Sequence, residues 1–327
     1  MRALAEGTVA PMPCAIGVDV GRTKIAAGVV TGDGRVLAER VVAAPSHLDQ
    51  LAVVSQVATV VQELADTHPE ARRLGVGTPE VVEWPSGRVL DAGGPGQSFA
   101  LRDLLEDTVS LPTVVDSDAN MAAWAEFRAG SAVGTRNAVI VTVGTGVGGG
   151  IVIDGQLYRG STGFAGELGH IVVQPEGVRC QCGNRGCLEA LSSGTALTRN
   201  GRRAAQADPA GMIARLAGSA EQVTGETVFE AASQGDPQAV ALFGELGHWL
   251  GIGMAAVVLF FDPDVVVVGG GLARTGDLLL GPAGASMNAH CPVRGGRMPR
   301  LEAAAHPRSS GVLGAGMLAL DSFAQAR

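Results

Sequence analysis

Residues 163–189, GFAGELGHIVVQPEGVRCQCGNRGCLE, gather three of the chain's five cysteines, one histidine and three glutamates into one Gly-rich stretch. His170, Cys180, Cys182 and Cys187 follow the spacing H-x9-C-x-C-x4-C. Three thiolates and one imidazole are the number and kind of ligand that a closed tetrahedral zinc site takes. A redox dithiol, or cysteines that share only a core, would be the plainer explanation, and the tightness of the cluster in a cysteine-poor chain favours zinc. Glu167 and Glu189 are not needed by the metal. A loop folded on zinc would hold both carboxylates toward a small polar ligand.

Other residues could do chemistry elsewhere. Asp118 in VVDSDAN follows a predicted strand (Thr113 to Val115) and precedes a predicted helix over 119–130. It reads either as a general base, which must reach the proton it removes, or as the N-cap of that helix. Asp19-Val20-Gly21-Arg22-Thr23-Lys24 is either a phosphate-cradling turn or a plain hairpin. Gly144 to Gly150, with only Thr145 and Val147 not glycine, is costly in chain entropy. That cost argues for close backbone approach to a ligand, the alternative being a flexible loop.

The elements that would position these groups fall into a repeated plan. After a leader expected to be disordered (1–13), Ile16, Val18 and Val20 alternate as a strand, and Gly21 to Thr23 turn the chain. Gly32-Asp33-Gly34 signals a hairpin. A helix from Ser46, its expected N-cap, to about His68 places Leu48, Leu51, Val54, Val57, Val61 and Leu64 on one face. Leu74 to Gly77 reads as a further strand. AVIVTVGTGVGGGIVIDGQLY (138–158) repeats the strand, Gly turn, strand and hairpin of 15–37, an internal duplication. Residues 195–260 read as helical, ending in a long apolar helix over 236–260. DPDVVVVGGGLAR (262–274) is a buried strand running into Gly269, Gly270 and Gly271, and GVLGAGMLALDSF closes as a helix.

GELGH (166–170) followed by CQCGNRGCLE (180–189) resembles the signature of the ROK family of sugar kinases, roughly GExGH…CxCGxxGCxE, with every fixed position present. Residues 19–24 resemble that family's DxGGTK turn, Gly144–Gly146 its second phosphate turn, and Ser117-Asp118-Ala119-Asn120 its NDAN motif. The resemblance implies an α/β, actin-like ATPase (ribonuclease H-like) fold with two lobes around a nucleotide/sugar cleft. The lobes would be 14–118 plus 310–327, and 119–309, with the last helix crossing back onto the first. It implies ATP and Mg2+ at Asp19, Gly21, Arg22, Thr23, Lys24, Gly144, Thr145 and Gly146, with Gly269, Gly270 and Gly271 near the adenosine. Asp118 would be the general base. Ser117, Asn120, Glu167, His170 and Glu189 would contact the sugar, and a structural zinc would sit on His170, Cys180, Cys182 and Cys187. A homodimer is expected on resemblance alone.

Three departures fall on the sugar side: Ser117 for the family's Asn, Thr78-Pro79-Glu80 for its A-P-G turn, and AGGPGQSFALRDLL for its P-N-L segment. Arg22 stands where the family has a second glycine. Lost amide contacts, with Asp116 and Glu80 nearby, suit an amino group on the sugar, as in kanosamine, or a C7-cyclitol; the resemblance itself implies glucose or an N-acylhexosamine as well. A net charge of −8 argues against nucleic acid. Together with a first strand beginning near Ala15, it leaves no place for the winged helix of the family's transcriptional repressors. A catalytically inactive sugar-binding protein remains the other class, prompted by Arg22. No apolar run is expected to approach the ~18 residues of a membrane span, and few, clustered cysteines suit a reducing cytoplasm.

Overall fold

The computed structural model describes residues 12–46, 49–90 and 97–323. Residues 1–11 of the leader, Leu48 of the first helix and 92–96 of the altered P-N-L segment therefore lie outside the described residues.

The first half forms β1 (Cys14–Val20), β2 (Lys24–Thr31), β3 (Val36–Ala43), α1 (Gln50–Thr67) and β4 (Leu74–Thr78). The short strands β5 (Val82–Glu83), β6 (Arg88–Leu90) and β7 (Ser98–Phe99) make a small sheet of their own. Then come α2 (Leu101–Val109), β8 (Thr113–Ser117) and α3 (Asp118–Ala129). The second half runs β9 (Ala138–Val143), β10 (Val147–Ile153), β11 (Gln156–Leu157), α4 (Leu188–Leu191), α5 (Gly194–Ala207), α6 (Met212–Ala217), α7 (Gly225–Ser233) and α8 (Pro237–Phe261). It ends with β12 (Val265–Gly269), α9 (Asp277–Ala289), β13 (Arg300–Ala303) and α10 (Ser310–Ser322).

The duplication seen in the sequence is a duplication of topology. One five-stranded sheet has the order β3-β2-β1-β4-β8 and the other β11-β10-β9-β12-β13. In each, the first strand pairs antiparallel with the second and parallel with the fourth. β4 and β12 are buried along their whole length, as expected of parallel strands covered on both faces.

α10 packs on the first sheet at very short range. A Cβ on Gly17 or Gly75 would lie 2.0 or 1.9 Å from the carbonyl oxygens of Val312 and Ala315. The strands can therefore accept the helix only because they carry no side chain there. On its other side α10 meets α3, where Asp321 takes Trp124 Nε1–H at 2.9 Å and pairs with Arg128. α3, which begins with Asp118, is thus clamped by the last helix.

Three expectations need correction. The first helix begins at Gln50, and its cap is Asp49, whose carboxylate accepts from Ala52 N–H at 3.0 Å. Leu51 is consequently 67% exposed, and Val53 and Val60 join the buried face instead. Ser117, not Asp118, caps α3: its hydroxyl accepts from Asn120 N–H at 3.2 Å, which removes the capping explanation for Asp118. Finally, α8 is long and apolar enough to cross a membrane by length and hydropathy. Its Phe243, Leu246, Leu250, Met254 and Val258 nevertheless sit in the core of the second half, while Phe260 at its end is 82% exposed.

Candidate active site

Both Gly-rich turns are tight, and they are braced differently. At the first, Gly21 N–H donates to Lys24 O at 2.9 Å, leaving Arg22, Thr23 and Lys24 exposed. Asp19, at the end of β1, lies against the first turn of α10, where a Cβ on Gly311 would come within 2.5 Å of its carboxyl carbon. Burial raises the Asp19 pKa, and Lys24 opposes that shift. At the second turn, Gly144 O accepts from Gly194 N–H at 2.7 Å and Thr145 O from the Thr195 hydroxyl at 2.8 Å, so the N-terminus of α5 fixes the loop. Glu189 adds a third tie, its Oε2 accepting Val147 N–H at 3.1 Å.

Asp118 is the first residue of α3; solvent reaches its side chain although protein crowds closely around it. That crowding, then the negative charge of Asp19, push its pKa up to about 7; the Ala119 N–H opposes, while Glu80 and Glu167 add further upward pressure. Four carboxylates from β1, the β4 end, α3 and the loop before His170 thus converge on one space.

The cysteine-rich loop brings together the four residues singled out by spacing. Ligand atoms of His170, Cys180, Cys182 and Cys187 all lie within 4.8 Å of one another. Cys182 and Cys187 sulfurs are 3.6 Å apart, and Cys180 Sγ is 3.8 Å from His170 Nδ1. Tetrahedral zinc, with Zn–S bonds of about 2.3 Å, holds its sulfurs about 3.8 Å apart, so the donor set and its size fit that ion. Burial raises the thiols of Cys180 and Cys187, the latter to about 12, and a bound cation is what ionises such thiols. His170 turns its other nitrogen, Nε2, toward Glu167 Oε2 at 4.0 Å. Burial, foremost, raises the Glu167 pKa.

A cavity of about 670 Å3 opens beside the second turn, lined by Gly144, Thr145 and Gly271. Of the three glycines expected near an adenosine, only Gly271 reaches it. Gly269 is the last residue of β12, paired with Thr142. Gly270 has φ +82, and a Cβ there would lie 2.6 Å from Val143 O. The remaining wall was not anticipated: Arg199, Arg202, Arg203, Phe229 and Arg274 come from α5, α7 and the turn after β12. Their only trace in the sequence is the RxxRR spacing of 199–203, which puts basic side chains on one helix face.

Two expected sugar contacts each have one hydrogen bond within the protein. The Ser117 hydroxyl accepts the capping hydrogen bond of α3. Asn120 is 2% exposed, its Nδ2–H donating to Asp116 Oδ1 at 2.8 Å. Each keeps a free polar function: the Ser117 hydroxyl only accepts in that cap and retains its O–H to donate, and Asn120 Oδ1 is buried with no partner among the described residues. Asp116 is sequestered, paired with Arg159.

The ROK family pattern matches residues 15–322. A glucokinase of Streptomyces coelicolor is 40% identical over 275 residues, covering 83% of this chain and 86% of its own length. An N-acetylmannosamine kinase of Citrobacter koseri is 36% identical over 263 residues, covering 79% and 84%. The crystal structure of a ROK family glucokinase from Streptomyces griseus, in complex with glucose and AMPPNP, superposes with a TM-score of 0.83 at 39% identity, over 94% of this chain and 99% of that one. The two matched sheets are those of an actin-like ATPase fold, and the chain belongs to the ROK family.

Proposed function

We propose that this chain is a cytoplasmic kinase that transfers the γ-phosphoryl group of ATP to the primary hydroxyl of a hexose or amino-hexose. The observation that carries this reading is Asp118, set at the start of α3 with its pKa raised to about 7 among the charges of Asp19, Glu80 and Glu167. A base poised near the working pH combines enough ionised form with enough proton affinity. The named relatives act in its favour, as does the glucokinase complex with glucose and a nucleotide.

In this reading the sugar lies between Asp118 and the Glu167–His170 edge, and Asp118 takes the hydroxyl proton as the oxygen attacks in line. Glu167 orients the sugar through paired hydroxyls, since one carboxylate accepts two hydrogen bonds. The phosphates rest on the turns at Gly21–Thr23 and Gly144–Gly146, and the nucleoside end fills the cavity at Gly271. Lys24 lies beside Asp19, which would face Mg2+; that ion supplies neutralisation of phosphate charge. Zinc held by His170, Cys180, Cys182 and Cys187 would fix the loop geometry and leave His170 Nε2 on the sugar side. We take 14–118 with 310–327 as one lobe and 119–309 as the other, and the working unit as a homodimer.

Substrate grading rests on Glu80. Of the two carboxylates that suited an amino group, Asp116 is neutralised by Arg159, whereas Glu80 is half-buried beside Asp118 and raises its pKa. A carboxylate there favours an ammonium-bearing sugar such as kanosamine over glucose. The Citrobacter relative keeps an N-acylhexosamine as the second reading. ATP consumption against glucose, mannose, glucosamine, N-acetylglucosamine, N-acetylmannosamine, kanosamine and a C7-cyclitol tests both levels. Preference for kanosamine is expected. Equal turnover of glucose and kanosamine would remove the role of Glu80, and binding without any turnover would leave a sugar-binding protein.

A further inference from the structure

Behind Asp118 lies a polar linkage that none of these roles uses. Asp116 in β8 is 3% exposed at its side chain and Arg159, from the segment after β11, is 12% exposed. Asp116 Oδ2 accepts Arg159 Nε–H at 2.6 Å. Its Oδ1 accepts Ser117 N–H and Asn120 Nδ2–H, both at 2.8 Å. One carboxylate thus grips the chain on both sides of Asp118. The Arg159 guanidinium carbon stands 3.7 Å from the centroid of the Trp84 ring, within cation–π range. The backbone oxygen of Arg159 accepts Gly163 N–H at 3.1 Å and Ala165 N–H at 3.3 Å, starting the loop that delivers Glu167.

Three segments far apart in sequence therefore meet at one buried pair. Stability is a poor explanation for it, because desolvating two charges offsets most of their attraction. Geometry is a better one. The planar guanidinium fixes direction in a way a flexible ammonium does not, and a misplacement of about 1 Å between reacting groups costs on the order of 10²-fold.

We propose that Arg159 and Asp116 are positioning residues, a buried pair stacked on Trp84 that locks the Asp118 turn to the loop carrying Glu167. The inference rests on the kinase reading for its consequence, and on the hydrogen bonds alone for its existence. Removing one partner would leave a buried charge, so the test uses the paired variant Asp116→Asn/Arg159→Met, with the charge-conserving Arg159→Lys beside it. Hydrogen exchange of the full chain reads the lock whether or not sugar is turned over. Amides of 117–120 and 163–165 should exchange at least tenfold faster together in the paired variant, with β1 and β9 unchanged; Arg159→Lys should give a smaller change at the same places.

Sugar phosphorylation should fall at least tenfold in kcat, with the KM for ATP within twofold of native and the acid limb of the pH profile unmoved. Should the paired variant not fold, the Arg159→Lys exchange pattern decides. Unchanged protection at 163–165 in a folded variant, native kcat, or a displaced acid limb would each overturn the proposal. Failure of the unaltered chain to phosphorylate any sugar would instead sink the kinase reading, and the exchange data would still decide the lock.

Discussion

The two sheets share one strand order, yet they carry opposite kinds of equipment. The first contributes two of the converging carboxylates: Asp19 near the end of β1, packed against α10, and Asp118, which opens α3 just beyond β8. The second contributes surfaces: a turn braced by α5 and Glu189, a metal-sized knot of thiols, and the cavity. A duplicated fold supplies two equivalent turns. What differs is the connection inserted after each hairpin, the single helix α1 in one case and the 158–187 loop followed by α4 to α8 in the other. Topology placed the turns; the insertions divided the labour.

The division is broken most severely by Asp118→Asn. Loss of a general base costs about 10²–10⁴ in rate, so kcat for sugar phosphorylation should fall by that factor with sugar affinity nearly unchanged. In the native enzyme, a base with a pKa of about 7 must lose its proton to act. The kcat/KM of the native chain should therefore rise with pH through about 7 and flatten above it. Near-native kcat in the variant, or an acid limb near pH 4, would take the base away from Asp118.

The complementary cut is Cys182→Ser. Cys182 is the exposed one of the three thiols, so its replacement opens no core, yet a three-ligand knot should lose its metal. Perturbing the shell around a metal commonly costs about 10–100-fold, and the sugar KM should rise by that order while kcat falls less. Metal content by mass spectrometry, read beside a sugar titration, checks both. A zinc-free variant with native sugar KM would separate the knot from the sugar site.

What the sequence made legible follows from spacing along the chain. The paired hairpins, the turns at Gly21 and Gly144 and the His170–Cys187 knot are short-range patterns, and each appears where the pattern put it. Asp49 replaced Ser46 as the cap of α1 because either residue type can accept from the first turn, and only the chain path before the helix chooses between them. Ser117 and Asn120 were expected beside the sugar by motif. The structure adds that the Ser117 oxygen also caps α3 and that Asn120 Nδ2 also ties to Asp116, links a motif does not list. Arg159, Trp84 and the arginines of α5 act through partners far away in sequence, so no local pattern could join them.

A smaller contrast separates the two turns. At Gly146 an added Cβ would lie 2.3 Å from Glu189 Oε2, whereas at Gly21 it would lie 3.0 Å from Lys24 O. Overpacking costs about 1–3 kcal/mol, and 1.4 kcal/mol is tenfold in binding. Gly146→Ala should thus raise the KM for ATP about tenfold, as Glu189 is pushed off Val147. Gly21→Ala, at a turn held by its own Gly21–Lys24 bond and by Ala44 N–H on Thr23 O, should raise it about twofold. Equal effects would mean that the bracing by Glu189 and α5 does not distinguish the turns.

The smallest effect concerns stability and turns on sign. Asp118 titrates near 7 in the folded chain and near 3.8 when unfolded. As pH rises from 4 to 7, the unfolded chain loses this proton while the folded chain keeps it, so unfolding becomes easier across that window and the penalty is constant above it. Solvent reaches the side chain, which discounts the size of the term. Asn has no proton to lose and mimics the neutral acid. Asp118→Asn should therefore melt close to the native chain at pH 4 and a few degrees above it at pH 8, a shift of the order expected for about 1 kcal/mol in a chain of this size. Catalysis and stability would then pull in opposite directions at a single residue of the first sheet, and a gap that stayed flat or reversed between pH 4 and pH 8 would show that the cleft does not hold Asp118 in its neutral form.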